Sequence, residues 1–297
     1  MISVICLGEA MLELSRAGDG WRMAAAGDTL NTAVHLARAG LAVDYFTAIG
    51  TDPFSDKLAA SWAIEGVGSS FVLRHPTRGC GLYAVTTDAA GERSFTYWRD
   101  SSAAREMFVL EAATAARKRA GSCDLLSFSL ISLAILPDDG REAVLALARQ
   151  VREAGGKVVF DGNFRPRLWS DTHAARDWAD RAIAVADYGF PTLEDEVALR
   201  ELITAGQVAA HWQALGCGET VVKLGSEGCR LAGGELVVPA AQLKPVDTSG
   251  AGDAFNAGYL AARLTGGTER DAAAEGNRVA GWTIMRRGAI PPRDPLY

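Results

Sequence analysis

The chain has 297 residues, of which 48% are hydrophobic and 22% are charged, and its 30 basic and 36 acidic residues give a formal net charge of −6. This composition excludes a wholly disordered chain, and the acidic balance argues against a general binder of nucleic acid or of anionic membranes. The first apolar run has no basic segment before it, so we expect no signal peptide and a cytoplasmic protein. Five scattered cysteines without CxxC spacing predict neither a disulfide framework nor a zinc site.

Short β-branched runs alternate with Ala- and Leu-rich helical stretches along most of the chain. The predicted strands are 2–7, 43–48, 125–129, 157–160, 187–190 and 220–224. The predicted helices are 29–39, 54–65, 139–154, 174–184, 194–202, 207–215, 251–264 and 270–285. This alternation predicts an α/β fold with a parallel sheet that is covered by helices on both faces.

One region interrupts the alternation. Two strand-like segments around a glycine-bearing loop at 88–92 predict a hairpin between residues 81 and 100. A period of two places Tyr97 and Arg99 on one face of its second strand, while Tyr83 belongs to the first. A small antiparallel sheet with aromatic and cationic groups on one face suggests a lid rather than a part of the main sheet.

The strongest chemical signal is the thirteen-residue run at 247–259, Asp-Thr-Ser-Gly-Ala-Gly-Asp-Ala-Phe-Asn-Ala-Gly-Tyr. Its small residues let a backbone approach a ligand closely, and an Ala-rich helix begins there, so free N–H groups and the positive helix end would face one point. Asp253 in the first helical turn could then accept the proton of an attacking hydroxyl. The alternative is that Asp247 or Ser249 caps the helix and Asp253 only complements its dipole. For so long a run we favour a site of phosphoryl transfer.

Two further segments follow predicted strands. Asp161-Gly162-Asn163 could order a phosphate or the water around a metal ion, or it could form only an Asx turn, and the sequence does not decide between them. The segment 223–228, Lys-Leu-Gly-Ser-Glu-Gly, lies at a strand end and could be a plain turn.

The run at 247–259 resembles the second signature of the ribokinase-like (PfkB-type) carbohydrate kinases, and residues 27–33, Gly-Asp-Thr-Leu-Asn-Thr-Ala, resemble the first. A Walker GxxxxGK[ST] motif is missing from the sequence, as is typical of this family. The segments 8–15, 91–99, 131–136 and 163–169 resemble the branch of the family that phosphorylates 2-keto-3-deoxygluconate.

This resemblance implies a three-layer α/β/α sandwich with a mostly parallel central sheet and a small β-sheet lid. It implies a single kinase domain over residues 1–297, with the lid drawn from about 9–25 and 79–101. It also implies a homo-oligomer formed through the lid sheet, with ATP and Mg²⁺ as cofactors. A monovalent cation such as K⁺ is a further option that the resemblance allows.

The resemblance also assigns roles to individual residues. Asp253 is the implied catalytic base, and Gly250, Ala251 and Gly252 form the implied anion hole. The implied substrate-binding residues are Gly27, Asp28, Asn31, Tyr83, Tyr97, Arg99 and Arg165. The implied ATP-binding residues are Lys223, Gly225, Ser226, Gly228 and Asn277. Residues 192–195, Thr-Leu-Glu-Asp, replace a common Asn-x-x-Glu pattern, which leaves the magnesium contact open between Glu194, Asp195 and Glu196.

The arginines favour an acidic sugar as the substrate, because a guanidinium binds a carboxylate through two hydrogen bonds. The alternatives are an edge-strand charge for Arg99 and a loop salt bridge for Arg165. Together with the resemblance, the arginines imply phosphorylation of the 6-hydroxyl of 2-keto-3-deoxy-D-gluconate as the reaction. The rivals are another sugar kinase of this fold, acting on fructose, 2-ketogluconate or 2-keto-3-deoxygalactonate, and a sugar-sensing protein without catalysis.

Overall fold

The secondary structure comes from a computed structural model that describes residues 2–87, 93–239 and 241–297. The strands are β1 (Ser3–Leu7), β2 (Met11–Ala17), β3 (Gly20–Ala26), β4 (Ala42–Ile49), β5 (Gly68–Arg74), β6 (Gly81–Thr87), β7 (Arg93–Trp98), β8 (Leu125–Ser129), β9 (Lys157–Asp161), β10 (Tyr188–Phe190), β11 (Glu219–Lys223), β12 (Cys229–Leu231) and β13 (Leu236–Val237). The α-helices are α1 (Asp28–Arg38), α2 (Pro53–Ile64), α3 (Ala113–Ala120), α4 (Leu130–Ala134), α5 (Asp138–Glu153), α6 (Thr172–Ile183), α7 (Leu193–Arg200), α8 (Ala205–Ala214), α9 (Ala251–Leu264) and α10 (Glu269–Ile284). Short 3₁₀ helices span Ala103–Val109, Pro166–Leu168 and Gly225–Glu227.

A large sheet forms the centre of the molecule, with the strand order β13-β12-β11-β10-β9-β8-β1-β4-β5. All neighbouring pairs from β11 to β5 are parallel, whereas β12 and β13 are added antiparallel at one edge. The carboxyl ends of the parallel strands therefore meet along one edge of the sheet, where ligands bind in open α/β folds.

Helices cover both faces of this sheet, because successive strand residues point to opposite sides. Leu126 and Phe160 pack in one buried cluster with α5, α6 and α8, while Leu125 and Val159 pack in another with α1, α9 and α10. The expected three-layer α/β/α sandwich with a mostly parallel sheet is confirmed.

A separate sheet has the strand order β3-β2-β6-β7. Its outer pairs are antiparallel, and its central pair, β2 with β6, is parallel. Tyr83 pairs with Tyr97 across β6 and β7. The loop expected at 88–92, together with the Gly91-Glu92 part of the family resemblance, lies outside the described residues.

Most predicted helices and strands of the core are present, with ends shifted by one or two residues. The edge strand β5 was not predicted, because its sequence, Gly-Ser-Ser-Phe-Val-Leu-Arg, begins with small polar residues and is only partly buried. The short helices α3 and α4 were also missed, since neither is long enough to show a helical period. None of the described helices is both long and apolar enough to cross a bilayer.

Candidate active site

A cavity of about 570 Å³ opens at the carboxyl edge of the large sheet, between that sheet, the small sheet and the start of α9. It brings together most of the residues that the sequence singled out. The predicted residues that line it are Gly27, Asp28, Asn31, Tyr83, Tyr97, Arg99, Arg165, Glu194, Asp195, Lys223, Gly225, Gly250, Ala251, Gly252 and Asp253. Segments more than 220 residues apart in the chain thus contribute to one site.

The anion site lies at the amino end of α9. Gly250 precedes the helix with φ of 70°, a left-handed conformation that favours glycine, and a Cβ at this residue would lie 2.7 Å from the Cβ of Ala289. No side chain of the described residues caps the helix. Gly250, Ala251 and Gly252 line the cavity, so the positive end of the helix dipole faces it.

Asp253 lies in the first turn of α9 and is 8% exposed. The side-chain amide of Asn31 donates a hydrogen bond of 2.8 Å to its Oδ2 atom. Burial, followed by the charges of Asp28 and Asp161, raises the pKa of Asp253 to about 8. A carboxylate with so raised a pKa is a suitable general base for a hydroxyl group.

The second carboxylate of the site belongs to Asp28, at the start of α1. Gly27 precedes it with φ of 138°, and a Cβ at Gly27 would lie 2.3 Å from the carbonyl oxygen of Glu9, so this approach requires glycine. Asn163 donates a hydrogen bond of 3.1 Å to Oδ2 of Asp28. Burial raises the pKa of Asp28, although a hydrogen bond with Ser129 lowers it.

A closed ring of polar side chains supports the floor of the cavity. Lys223, at the end of β11, donates from Nζ to Oδ1 of Asp161 at 3.0 Å and to Oδ1 of Asn256 at 3.2 Å. Asn256, one turn after Asp253, completes the ring by donating to Oδ2 of Asp161 at 2.8 Å. A Cβ on Gly252 would lie only 3.4 Å from Nζ of Lys223, so the ammonium group lies against the anion site.

The small sheet contributes an aromatic wall. The rings of Tyr83 and Tyr97 are stacked with centroids 5.4 Å apart, and the Tyr83 hydroxyl donates to Oε2 of Glu13 at 2.5 Å. These tyrosines line the cavity as the resemblance implied, and their rings also pack on each other.

Arg99 lines the cavity together with Tyr97, as the period of two predicted, but it is paired with a buried carboxylate. Strand β7 ends at Trp98, and the Arg99 side chain is 6% exposed. Its Nε donates to Oε2 of Glu9 at 2.9 Å, and its Nη2 donates to the same oxygen. Glu9 is 2% exposed, so Arg99 lines the cavity as one half of a buried ion pair rather than as an edge-strand charge.

Arg165 lies in the loop after β9 and is half exposed. Its Nη1 contacts Oδ1 of Asp195 at 3.3 Å and donates to the carbonyl oxygen of Phe164 at 2.8 Å. The expected loop salt bridge is therefore present, and the side chain lines the cavity as well.

Of the three carboxylates that were open for the metal, Glu194 and Asp195 line the cavity. Glu196 does not fit, because it is 1% exposed and its carboxylate meets the Trp212 indole at 3.0 Å and Arg200 at 3.2 Å. Carboxylate oxygens are ligands that Mg²⁺ prefers, and it binds one or two of them together with phosphates and water. Glu194 and Asp195 fit that requirement.

The expected nucleotide residues are only partly brought together. Lys223 and Gly225 line the cavity, whereas Ser226, Gly228 and Asn277 lie outside its lining. The Asn277 side chain donates to the carbonyl oxygen of Val237 at 3.0 Å, which joins α10 to the antiparallel edge of the sheet.

Three charged or amide side chains at the site were not predicted from the sequence: Glu9, Asn256 and Arg167. Asn256 is three residues after Asp253 and so belongs to the same helix face, a signal that the motif itself contained. Glu9 lies two residues after the end of β1, at the carboxyl edge of the sheet, and this position could also have marked it. Arg167 is exposed in a short 3₁₀ helix, where no periodic pattern points to it.

Comparison with known proteins finds relatives over nearly the whole chain. The model of the pfkB family carbohydrate kinases matches residues 1–295. The chain is 43% identical to the 2-dehydro-3-deoxygluconokinase of Escherichia coli (strain K12), over 99% of this chain and 98% of the relative. It is 41% identical to the enzyme of the same name from Dickeya dadantii (strain 3937), with the same coverage.

A solved structure agrees with these matches. The fructokinase from Vibrio cholerae O395, in its form with bound fructose, ADP and calcium ion, has a TM-score of 0.84 at 26% identity, over 97% of this chain and 94% of that chain. The resemblance that residues 27–33 and 247–259 carried is thus confirmed. The chain belongs to the pfkB family of carbohydrate kinases.

Proposed function

We propose that the chain is a 2-dehydro-3-deoxygluconokinase, which transfers the γ-phosphoryl group of ATP to the 6-hydroxyl of 2-keto-3-deoxy-D-gluconate. The product is 2-keto-3-deoxy-6-phosphogluconate, an intermediate of sugar-acid catabolism. The observation that carries the proposal is one cavity that holds a buried carboxylate at a helix amino end and arginines at its small-sheet side. Relatives of that name at 41% and 43% identity support the substrate.

Asp253 is proposed as the general base. Asn31 holds its Oδ2 atom, which leaves the other carboxylate oxygen to accept the proton of the attacking 6-hydroxyl. The raised pKa of Asp253 makes the carboxylate a better proton acceptor than an exposed aspartate.

The anion site and Lys223 would stabilise the negative charge on the phosphoryl group as it transfers. Backbone N–H groups at Gly250, Ala251 and Gly252 are fixed by the start of α9, so they need no rearrangement when charge develops. Asp161 and Asn256 hold the Lys223 ammonium against this point.

ATP would lie with its phosphates at the anion site and its nucleoside toward the 3₁₀ helix Gly225–Glu227. Magnesium, when bound, neutralises phosphate charge. Glu194 and Asp195 are the carboxylates that would hold its ligand water, and Ser226, Gly228 and Asn277 stay proposed as neighbours of the nucleotide. A monovalent cation such as K⁺ remains part of the proposal.

The sugar acid would bind between α1 and the small sheet. Asp28, Asn31 and the backbone of Gly27, which line the cavity, would bind its hydroxyls, and the tyrosine wall would lie over its carbon chain. The arginines supply the positive charge that a carboxylate requires. Closure of the small sheet over the site would exclude water and limit hydrolysis of ATP.

We also propose that the small sheet forms a contact between two copies of the chain. Trp98 is 57% exposed and Trp21 is 48% exposed on this sheet. Large apolar side chains exposed to water on one surface are typical of a protein–protein contact. Trp98→Ser is expected to shift the protein toward monomer in light scattering, whereas Ile64→Ser, on the exposed side of α2, should leave the mass unchanged. A monomeric unmodified protein would contradict this contact.

Because ATP is the phosphoryl donor, we place the reaction in the cytoplasm.

An assay of ADP release tests the proposed function. The panel contains 2-keto-3-deoxy-D-gluconate, its galactonate epimer, 2-ketogluconate and fructose, since a fructokinase of known structure shares the fold. The highest kcat/KM is expected with 2-keto-3-deoxy-D-gluconate. Preference for fructose would replace the proposal with a fructokinase, and no ADP release with any sugar would favour a sensing protein.

A further inference from the structure

Three arginines line the cavity, and they differ in which carboxylate already neutralises their charge. Arg99 is paired with buried Glu9, and Arg165 is paired with Asp195. Arg167 forms no ion pair with any carboxylate among residues 2–87, 93–239 and 241–297. Its charge is therefore the least compensated of the three.

The position of the Arg167 side chain is nevertheless defined. It extends from the 3₁₀ helix Pro166–Leu168, and its guanidinium lies 3.7 Å from the centroid of the Tyr97 ring. The Tyr97 ring is in turn stacked on Tyr83. Such stacking uses the flat face of a guanidinium and leaves the N–H groups along its edge free to donate.

This arrangement suits a ligand carboxylate. A planar guanidinium held by its face can present two parallel N–H groups to the two oxygens of a carboxylate. Two carboxylates of the lining, Glu9 and Asp195, already accept hydrogen bonds from Arg99 and Arg165. Neutral hexoses offer no group that would use this charge.

We propose that Arg167 is a specificity-determining residue, which binds the carboxylate of the sugar acid with its free edge while Tyr97 fixes its plane. The inference rests on the proposed function, because it assumes an anionic sugar. It extends that function by assigning the selection of acidic over neutral sugars to Arg167, which lies in the segment 163–169 and outside the two family signatures.

The experiment compares the wild-type enzyme with Arg167→Ala and Arg167→Lys in the ADP assay, with 2-keto-3-deoxy-D-gluconate and ATP varied separately. Arg149→Ala is the matched control, because it removes the same charge from the exposed side of α5. Arg167→Ala is expected to raise KM for the sugar acid about 10- to 100-fold, the value of one charged hydrogen bond, and to leave KM for ATP within about twofold. Arg167→Lys keeps the charge without the planar guanidinium, so its KM for the sugar acid should lie between those of the wild-type enzyme and Arg167→Ala.

Thermal unfolding of each variant shows whether it is folded, and an exposed arginine should be replaced without loss of the fold. An unchanged KM for the sugar acid in Arg167→Ala would overturn the inference, and so would an equal rise of both KM values, which would make Arg167 only a link between Tyr97 and the core. Failure of the wild-type enzyme to phosphorylate the sugar acid would instead overturn the proposed function.

Discussion

The two ends of the cavity are built in different ways. At the α9 end, Asp253, Asp161 and Lys223 are buried and joined through hydrogen bonds to elements of the rigid core. At the small-sheet end, Tyr97 belongs to an edge strand and Arg167, which stacks on it, belongs to a short 3₁₀ helix, and both are partly or largely exposed. Phosphoryl transfer needs the α9 end whichever sugar is bound. The small-sheet end has only to recognise one sugar.

This difference predicts unequal effects of substitution. A substitution at the α9 end removes a buried side chain that is held by charged hydrogen-bond partners. It should therefore affect both turnover and stability. A change at the small-sheet end should alter only the affinity for the sugar.

The largest effect is expected from Asp253→Asn. Loss of the general base should lower kcat about 10²- to 10⁴-fold with little change in KM for the sugar. Asp139→Asn is the control, because Asp139 is an exposed carboxylate in the first turn of α5. Steady-state kinetics checks both variants. Full turnover in Asp253→Asn would leave only a helix-dipole role for this residue.

The next largest effect concerns the ring of Lys223, Asp161 and Asn256. Lys223→Met leaves the Asp161 carboxylate buried without its cation, so the free energy of unfolding should fall by about 3–5 kcal/mol and kcat should fall with it. Lys157→Met is the matched control, since its pair with Asp187 is on the surface, and it should cost less than about 1 kcal/mol. Denaturant unfolding measures both, and equal losses would show that the ring contributes nothing beyond a surface pair.

The pH dependence follows from the raised pKa of Asp253. Since the base acts in its ionised form, kcat/KM should rise about tenfold per pH unit below pH 8 and level off above it. The folded protein holds this proton more tightly than the unfolded chain does, so stability should fall as pH increases from about 4 to 8. Asp253→Asn should weaken that fall. A flat kcat/KM profile from pH 5.5 to 9 would contradict the assignment.

The smallest effect is expected from Arg165→Ala. Arg165 is half exposed and shared with Asp195, so KM for the sugar acid should rise several-fold to about tenfold, with KM for ATP unchanged. Arg181→Ala, which removes a surface pair with Glu142, is the control. Unchanged sugar KM in Arg165→Ala would remove this residue from the carboxylate site.

The sequence predicted the α9 end better than the small-sheet end. Residues 247–259 are contiguous, so their spacing alone places Asp253 at a helix start beside the glycines. The alternation of strands and helices likewise predicted the central sheet and the layers around it, because period and burial are local properties.

The rest of the site depends on contacts between segments that are distant in the chain. The ring around Lys223 closes across β9, β11 and α9, and nothing local in the sequence fixes the register that brings these ends together. The period of two placed Arg99 on the cavity side with Tyr97, but it could not reveal the buried partner of Arg99, Glu9, which is 90 residues earlier in the chain. Partners of this kind become visible only in the fold.

The most direct test of the central claim is ³¹P NMR of the product formed from ATP and 2-keto-3-deoxy-D-gluconate. We expect one new phosphomonoester, coupled to the two protons of C6, with the wild-type enzyme and almost none with Asp253→Asn over the same time. Phosphate on another hydroxyl, or the same rate of product formation with Asp253→Asn, would contradict it.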